Sequence, residues 1–274
     1  MRFPPGFVQE VAGAGQLFFR DSGPGSGPAG TLLLLHGWAV TSDINFLRLY
    51  GPLETAGFRV IALDMRGHGR GLRAGIPFRL ADCAEDAAAL LRHLDLGPSL
   101  VHGYSLGGSV AQLLAHNHPE LVAGLVLGAT RPRWPPRGGG LYRAGMKVLL
   151  GLAPDRGWRF ASRRVGWDVE TARWAAGELS RSSPAAILEA NADARSFDSR
   201  AWVGSLPMPL AVIITTRDRS VSTDGQREFA EVAPRAALSE VPLGHDDLVR
   251  SVDLYLPALL AALDSVGGRN TIPR

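Results

Sequence analysis

Short apolar runs alternate with helix-periodic stretches along most of this chain, and that alternation limits its fold more than any other feature. Thr31–Leu35 is a strand-like run that stops at His36-Gly37. An apolar run without polar alternation, bounded by turn residues, suits a strand buried on both faces, as in a parallel sheet. A helix is expected near Asn45–Ala56, then strand Phe58–Leu63, helix Leu80–Leu94, strand Ser99–Gly103, helix Leu106–Asn117 and strand Leu121–Leu127. After an interruption, Leu210–Thr215 reads as strand, Gln226–Val232 as helix, Ala236–Val241 as strand and Asp246–Leu263 as a last helix. Such repetition gives a mostly parallel sheet with helices on both faces. Two short strands, near Phe7–Val11 and Gln16–Arg20, precede it, and a Gly/Pro/Ser-rich loop from Asp21 to Gly30 follows them.

The interruption, Arg131 to Ser205, differs in composition. It holds five of the six tryptophans (Trp134, Trp158, Trp167, Trp174 and Trp202) and thirteen Arg or Lys against seven Asp or Glu. Packing onto the core is the plainer role for these tryptophans, and lining an apolar pocket is the functional one. A solvated face is the plainer role for the arginines.

A length of 274 residues suits one large domain. The net charge of +3 calls for no nucleic-acid or membrane partner. Cys83 is the only cysteine, so no intrachain disulfide forms. The N-terminus carries no apolar signal segment, and no apolar run nears the ~20 residues that span a bilayer. A cytoplasmic enzyme with a small-molecule substrate is expected, and the oligomeric state stays open.

Gly103-Tyr104-Ser105-Leu106-Gly107 matches G-x-S-x-G, the nucleophile elbow. In a glycine-rich chain, context gives the match its weight. A strand is expected before it and a helix after it, as the elbow requires. A serine on so sharp a turn has strained backbone, and side chains at Gly103 and Gly107 would collide with the turn. The turn lifts the hydroxyl above the sheet, beside the free N–H groups of the helix that Leu106 begins.

On an elbow architecture an acid and then a histidine follow the serine in the chain. Of the seven histidines only His116, His118 and His245 do so. His116 is eleven residues along the expected helix, about 16 Å away at ~1.5 Å per residue. His118 is farther, which leaves His245 between the last strand and the last helix. The acid belongs at a strand end, and Asp218 follows Leu210–Thr215. Its job would be to hold the imidazole tautomer and stabilise the imidazolium. An ion pair with Arg217 or Arg219 is the alternative role for Asp218. The end of the preceding strand, Gly128-Ala129-Thr130-Arg131, has no carboxylate. An oxyanion hole needs two preorganised N–H donors. Leu106 offers one, and the backbone of Trp38, in His36-Gly37-Trp38, offers the other. His36 itself reads as structural.

With these residues in place the chain resembles the α/β-hydrolase superfamily over nearly its whole length. Asp64-Met65-Arg66-Gly67-His68-Gly69 also looks like the family's D-x-R-G-H-G loop, read here as structural. The resemblance implies a mostly parallel eight-stranded sheet flanked by helices, with a helical cap inserted after the sixth strand. The core would comprise 1–130 and 206–266, the cap 131–205, and a flexible tail 267–274. It implies Ser105 as nucleophile, Asp218 as acid, His245 as base, and Trp38 and Leu106 as backbone oxyanion donors. No cofactor and no metal are called for. A serine at the elbow points to an acyl-enzyme route, with esters as the first substrate class. C–C bond hydrolysis, acyl transfer or perhydrolysis on the same residues, and a non-catalytic ligand-binding protein of the same fold, are the alternatives.

Overall fold

The computed structural model describes residues 1–23, 29–73, 75, 77–135, 166–250 and 252–268. Trp158, residues 136–165 of the expected cap and the end of the expected tail lie outside them. The described strands form one eight-stranded sheet in the order β1-β2-β4-β3-β5-β6-β7-β8. They are β1 Gly6–Val11, β2 Gly15–Asp21, β3 Thr31–Leu35, β4 Arg59–Leu63, β5 Ser99–Tyr104, β6 Val122–Gly128, β7 Leu210–Thr215 and β8 Ala237–Val241. β1 and β2 pair antiparallel, as do β2 and β4, and all other pairings are parallel. The expected architecture is therefore the observed one.

Successive side chains of a strand point to opposite faces, so each apolar run feeds two cores. Leu33 and Leu35 join one, with Leu90, Val110 and Leu114 from the helices α3 (Leu80–His93) and α4 (Leu106–Asn117). Leu32 and Leu34 join the other, with Phe46 and Leu53 from α1 (Ser42–Phe46) and α2 (Tyr50–Thr55). Every residue of β5 and of β7 is buried. In the order β4-β3-β5 the strands stay parallel, but the direction in which successive strands are added to the sheet reverses at β3. Such a switch point opens a crevice beyond the carboxyl ends of the strands, here β3 and β5.

Three expected helices differ in extent. The one near Asn45–Ala56 is two pieces, α1 and α2. Pro52 has no amide hydrogen and its ring would clash with a continuous helix. The Thr41 side chain caps α1 instead, accepting the Ile44 N–H at 3.2 Å. Gln226–Val232 is likewise two short helices, α7 (Thr223–Arg227), capped by Ser222, and α8 (Phe229–Val232). The last helix, α9, is Val252–Val266 and not Asp246–Leu263. The Asp247 carboxylate accepts the Gly244 N–H at 2.8 Å, a local turn that competes with helix there.

Between β6 and β7 lie α5 (Val169–Ser180) and α6 (Pro184–Ala194). Their capping residues are Asp168 and Ser183. The two roots of this insertion touch. Arg133 bridges Asp198 in antiparallel fashion, and the Ser199 N–H donates to the Pro132 carbonyl at 2.8 Å. Trp134 donates its indole N–H to Ser109 Oγ of α4 at 2.9 Å, and Trp202 stacks on His116 at 4.3 Å between centroids. Trp174 lies against Phe3. For these three tryptophans the packing role is the observed one.

Leu33→Ala tests this layered core. The side chain is fully buried in a central strand. The substitution is expected to lower unfolding free energy by about 2–5 kcal/mol in a urea titration. Val8→Ala on the exposed edge strand should stay within about 0.5 kcal/mol. Equal effects at the two sites would contradict the layering.

Candidate active site

At the carboxyl end of β5 the chain turns into α4 through Ser105, whose φ is 55° and ψ −118°. That left-handed conformation costs on the order of 1–3 kcal/mol for a residue with a side chain and persists only when packing enforces it. The packing is visible at the flanking glycines. A Cβ on Gly103 would lie 2.7 Å from the Gly108 Cα, and one on Gly107 would collide with the Leu35 carbonyl oxygen. One on Gly108 would lie 2.5 Å from the Thr130 side chain. The Ser105 N–H donates to the Gly128 carbonyl at 2.9 Å, pinning the turn to β6. The first turn of α4 is thus driven against the ends of β3 and β5, and the serine is left at its apex.

The loop after β3 meets this turn. A Cβ on Gly37 would stand 3.4 Å from Ser105 Cβ. Asn45 Oδ1 accepts the Gly37 N–H at 2.7 Å and fixes the loop's course. Trp38 thus follows directly on the loop residue that approaches Ser105, and Leu106 is the first residue of the helix that Ser105 leads into. The Trp38 side chain is partly buried against the core, and its indole N–H donates to the Ile187 carbonyl of α6 at 2.7 Å.

Asp218 and His245 are brought together from the loops after β7 and β8. His245 Nδ1 donates to Asp218 Oδ2 at 2.7 Å. The same oxygen accepts the Thr215 hydroxyl at 3.0 Å, and Oδ1 accepts the N–H groups of Ser220 at 2.6 Å and Val221 at 2.9 Å. Burial pushes the Asp218 carboxyl up, but the His245 hydrogen bond and charge and these two amides outweigh it, so it lies below the usual range. Its partners are thus an imidazole, a hydroxyl and two amides, with no Arg217 or Arg219 ion pair among the described contacts. Ser105 Oγ makes no hydrogen bond to the His245 ring among the described contacts, as is common before substrate tightens such a site.

Residues with no motif of their own complete the arrangement. Gln226 Nε2 donates to Thr215 Oγ1 at 2.9 Å and to the Val221 carbonyl at 2.9 Å, while its Oε1 accepts the Thr215 N–H at 2.9 Å. A relay runs from Gln226 through the Thr215 hydroxyl to the carboxylate. A buried glutamine eleven residues after a strand-end threonine was the available signal, and it means little until the fold joins the two. Tyr104 donates its hydroxyl to the His245 carbonyl at 2.7 Å.

His36 has both ring nitrogens engaged. Nδ1 donates to the Gly37 carbonyl at 2.8 Å, and Nε2 accepts the Met65 N–H at 3.0 Å. It ties β3 to β4 and has no nitrogen left for proton transfer. The Asp64 carboxylate accepts the Ser42 N–H and hydroxyl at 2.9 and 2.6 Å and the Arg70 N–H at 3.0 Å. Arg66 grips Asp86 through two hydrogen bonds. The D-x-R-G-H-G loop is thereby held rigid and carries the insertion. Its Gly67 carbonyl accepts the Ser183 N–H at 2.8 Å, and its Gly69 N–H donates to Ser182 Oγ at 2.9 Å. A Cβ on Gly67 would collide with Ala186 of α6.

His102, wholly buried beneath the elbow, has its imidazole held at about 4 against an ordinary 6.5. Burial disfavours the charged ring, and the hydrogen bond to the Val126 carbonyl only partly offsets this. Between those pH values the unfolded chain takes up a proton there and the folded chain does not. Stability due to this group is full above pH 6.5 and falls as the pH drops towards 4. The unfolding free energy of wild type should therefore fall with acid more steeply than that of His102→Gln, by up to about 1.4 kcal/mol per pH unit and about 3 kcal/mol in all. Parallel profiles in urea titrations would contradict this.

The α/β-hydrolase fold family model matches residues 30–249. The chain is 33% identical over 251 residues to a pimeloyl-acyl-carrier-protein methyl ester esterase of Chromobacterium violaceum, covering 85% of this chain and 95% of that protein. It is 35% identical over 119 residues to a non-heme haloperoxidase of Rhodococcus erythropolis, covering 43% of this chain and 42% of that one. Among solved structures, a hydrolase from Pseudomonas aeruginosa superposes with a TM-score of 0.75 at 25% identity, over 94% of this chain and 98% of the other. On the family match over most of its length and the likeness to the Chromobacterium protein, the chain belongs to the α/β-hydrolase fold family.

Proposed function

We propose that this protein is a serine hydrolase that cleaves a small-molecule carboxylic ester or related acyl bond through an acyl-enzyme. The observation that carries the reading is the His245 Nδ1–Asp218 Oδ2 hydrogen bond of 2.7 Å, on a histidine loop bonded to Tyr104, the residue before the strained Ser105. With Nδ1–H committed to the carboxylate, His245 keeps its Nε2 lone pair for a proton from Ser105. Ser105 Oγ attacks the acyl carbon as its proton passes to Nε2. The carbonyl oxygen takes the negative charge and is stabilised by the Trp38 and Leu106 N–H groups. The imidazolium gives its proton to the leaving oxygen, and the C–O bond breaks. Water then attacks the acyl-enzyme with the same nitrogen as base, releasing the acid and restoring Ser105.

Residues 131–205, with α5 and α6, are proposed as the cap that sets the acyl and leaving-group space. The Chromobacterium relative is named for a methyl ester substrate, so carboxylic esters come first. The haloperoxidase likeness favours one second reading, in which peroxide replaces water as the acceptor of the acyl group.

Steady-state hydrolysis of p-nitrophenyl esters tests the proposal. Ser105→Ala should lower kcat about 10⁶-fold and Asp218→Asn about 10⁴-fold, with KM little changed. Ser105→Ala retaining a tenth or more of wild-type turnover would refute it. Faster consumption of the ester with hydrogen peroxide present, yielding peracid, would select the second reading.

A further inference from the structure

The variable position of the elbow, Tyr104, takes no part in the chemistry just described, yet it is 3% exposed and touches the histidine loop twice. Its hydroxyl donates to the His245 main-chain carbonyl at 2.7 Å. Its ring lies 5.6 Å from the His245 imidazole, centroid to centroid, at 41°. Behind it stands a buried wall. Tyr255 packs edge-on at 5.8 Å, and the Tyr255 hydroxyl and His102 Nε2 are 3.3 Å apart. His102 Nδ1 in turn donates to the Val126 carbonyl at 3.1 Å. Gly128 is required beside this wall, because a Cβ there would collide with the Tyr255 hydroxyl.

The Nδ1–H bond to one oxygen of Asp218 leaves the imidazole free to pivot about that bond. A main-chain anchor at His245 and an aromatic surface against its ring remove that freedom. Both are supplied by the residue covalently next to Ser105, on a turn that the packing at Gly103 and Gly107 holds rigid. We propose that Tyr104 is a positioning residue, which references the His245 imidazole to the same turn that carries the nucleophile. The inference rests on the Ser105–His245–Asp218 reading and extends it to a residue that touches neither the substrate nor the transferred proton. It also gives the elbow's variable position a chemical requirement, an aromatic ring bearing a hydrogen-bond donor.

The test is Tyr104→Phe, which keeps the ring and removes the donor, compared with wild type by thermal unfolding, ester kinetics and proton NMR. A folded Y104F protein with kcat down about ten- to a hundredfold and KM within about twofold would support the inference, since small misplacements of a reacting group cost that much. The downfield resonance of the His245–Asp218 hydrogen bond should broaden or be lost along with kcat. A role in folding alone would move the unfolding midpoint and leave that resonance and kcat in place. A folded Y104F protein with unchanged kcat and resonance would overturn the inference, as would a rise in KM at unchanged kcat. Should Y104F not fold, Tyr104→Met, a flexible apolar filler without ring or donor, is scored by the same readouts. Failure of wild type to turn over any ester would instead count against the hydrolase reading, and the resonance comparison would still decide whether Tyr104 fixes the imidazole.

Discussion

The close packing of the first turn of α4 against the ends of β3 and β5 is the constraint on which the rest of the site depends. It leaves no room for a Cβ at Gly103, Gly107 or Gly108, and it holds Ser105 in a left-handed conformation that an isolated turn would abandon. The strain is sustained by many buried apolar contacts on both faces of the sheet, so the fold's stability and the serine's conformation are aspects of one arrangement.

Around this turn, three segments far apart in sequence are each tied by a few directional bonds. The loop after β3 is set by Asn45 and by His36, the acid loop by Thr215 and Gln226, and the histidine loop by Asp218 and Tyr104. The insertion between β6 and β7 is joined to the same frame. Trp38 bonds the loop after β3 to α6, and Arg70 pairs with Glu178 of α5 at 2.6 Å. Phe78 and Leu80 donate their N–H groups to Glu189 and Asp193 of α6 at 2.9 and 2.7 Å. The insertion and the loop after β3 thus share supports, and a shift of α6 would be felt at Trp38.

Much of this was legible in the chain itself. Apolar runs such as Thr31–Leu35 and Leu210–Thr215 have one stable use, and both were located to the residue. Leu106–Asn117 was equally clear, because its periodicity begins at the elbow and ends before Pro119. The turn at Ser105 and the strand-end loops of Asp218 and His245 were legible as places, because chain order and strand ends leave few positions for them. Helix extents near Pro52 and Asp247 were not, since a missing amide and a side-chain turn overrule periodicity there. Nor were the supporting contacts of Gln226, Thr215, Asn45 and Tyr104. Their partners lie between three and 141 residues away, and no sequence pattern records which side chains the fold will pair.

The central claim is that the fold activates one serine among many. Treating the protein with a fluorophosphonate and locating the adduct by mass spectrometry addresses it directly. The account predicts one stoichiometric adduct, on Ser105, formed in the wild type and absent in His245→Ala. An adduct on another residue, or none on the folded wild type, would contradict it.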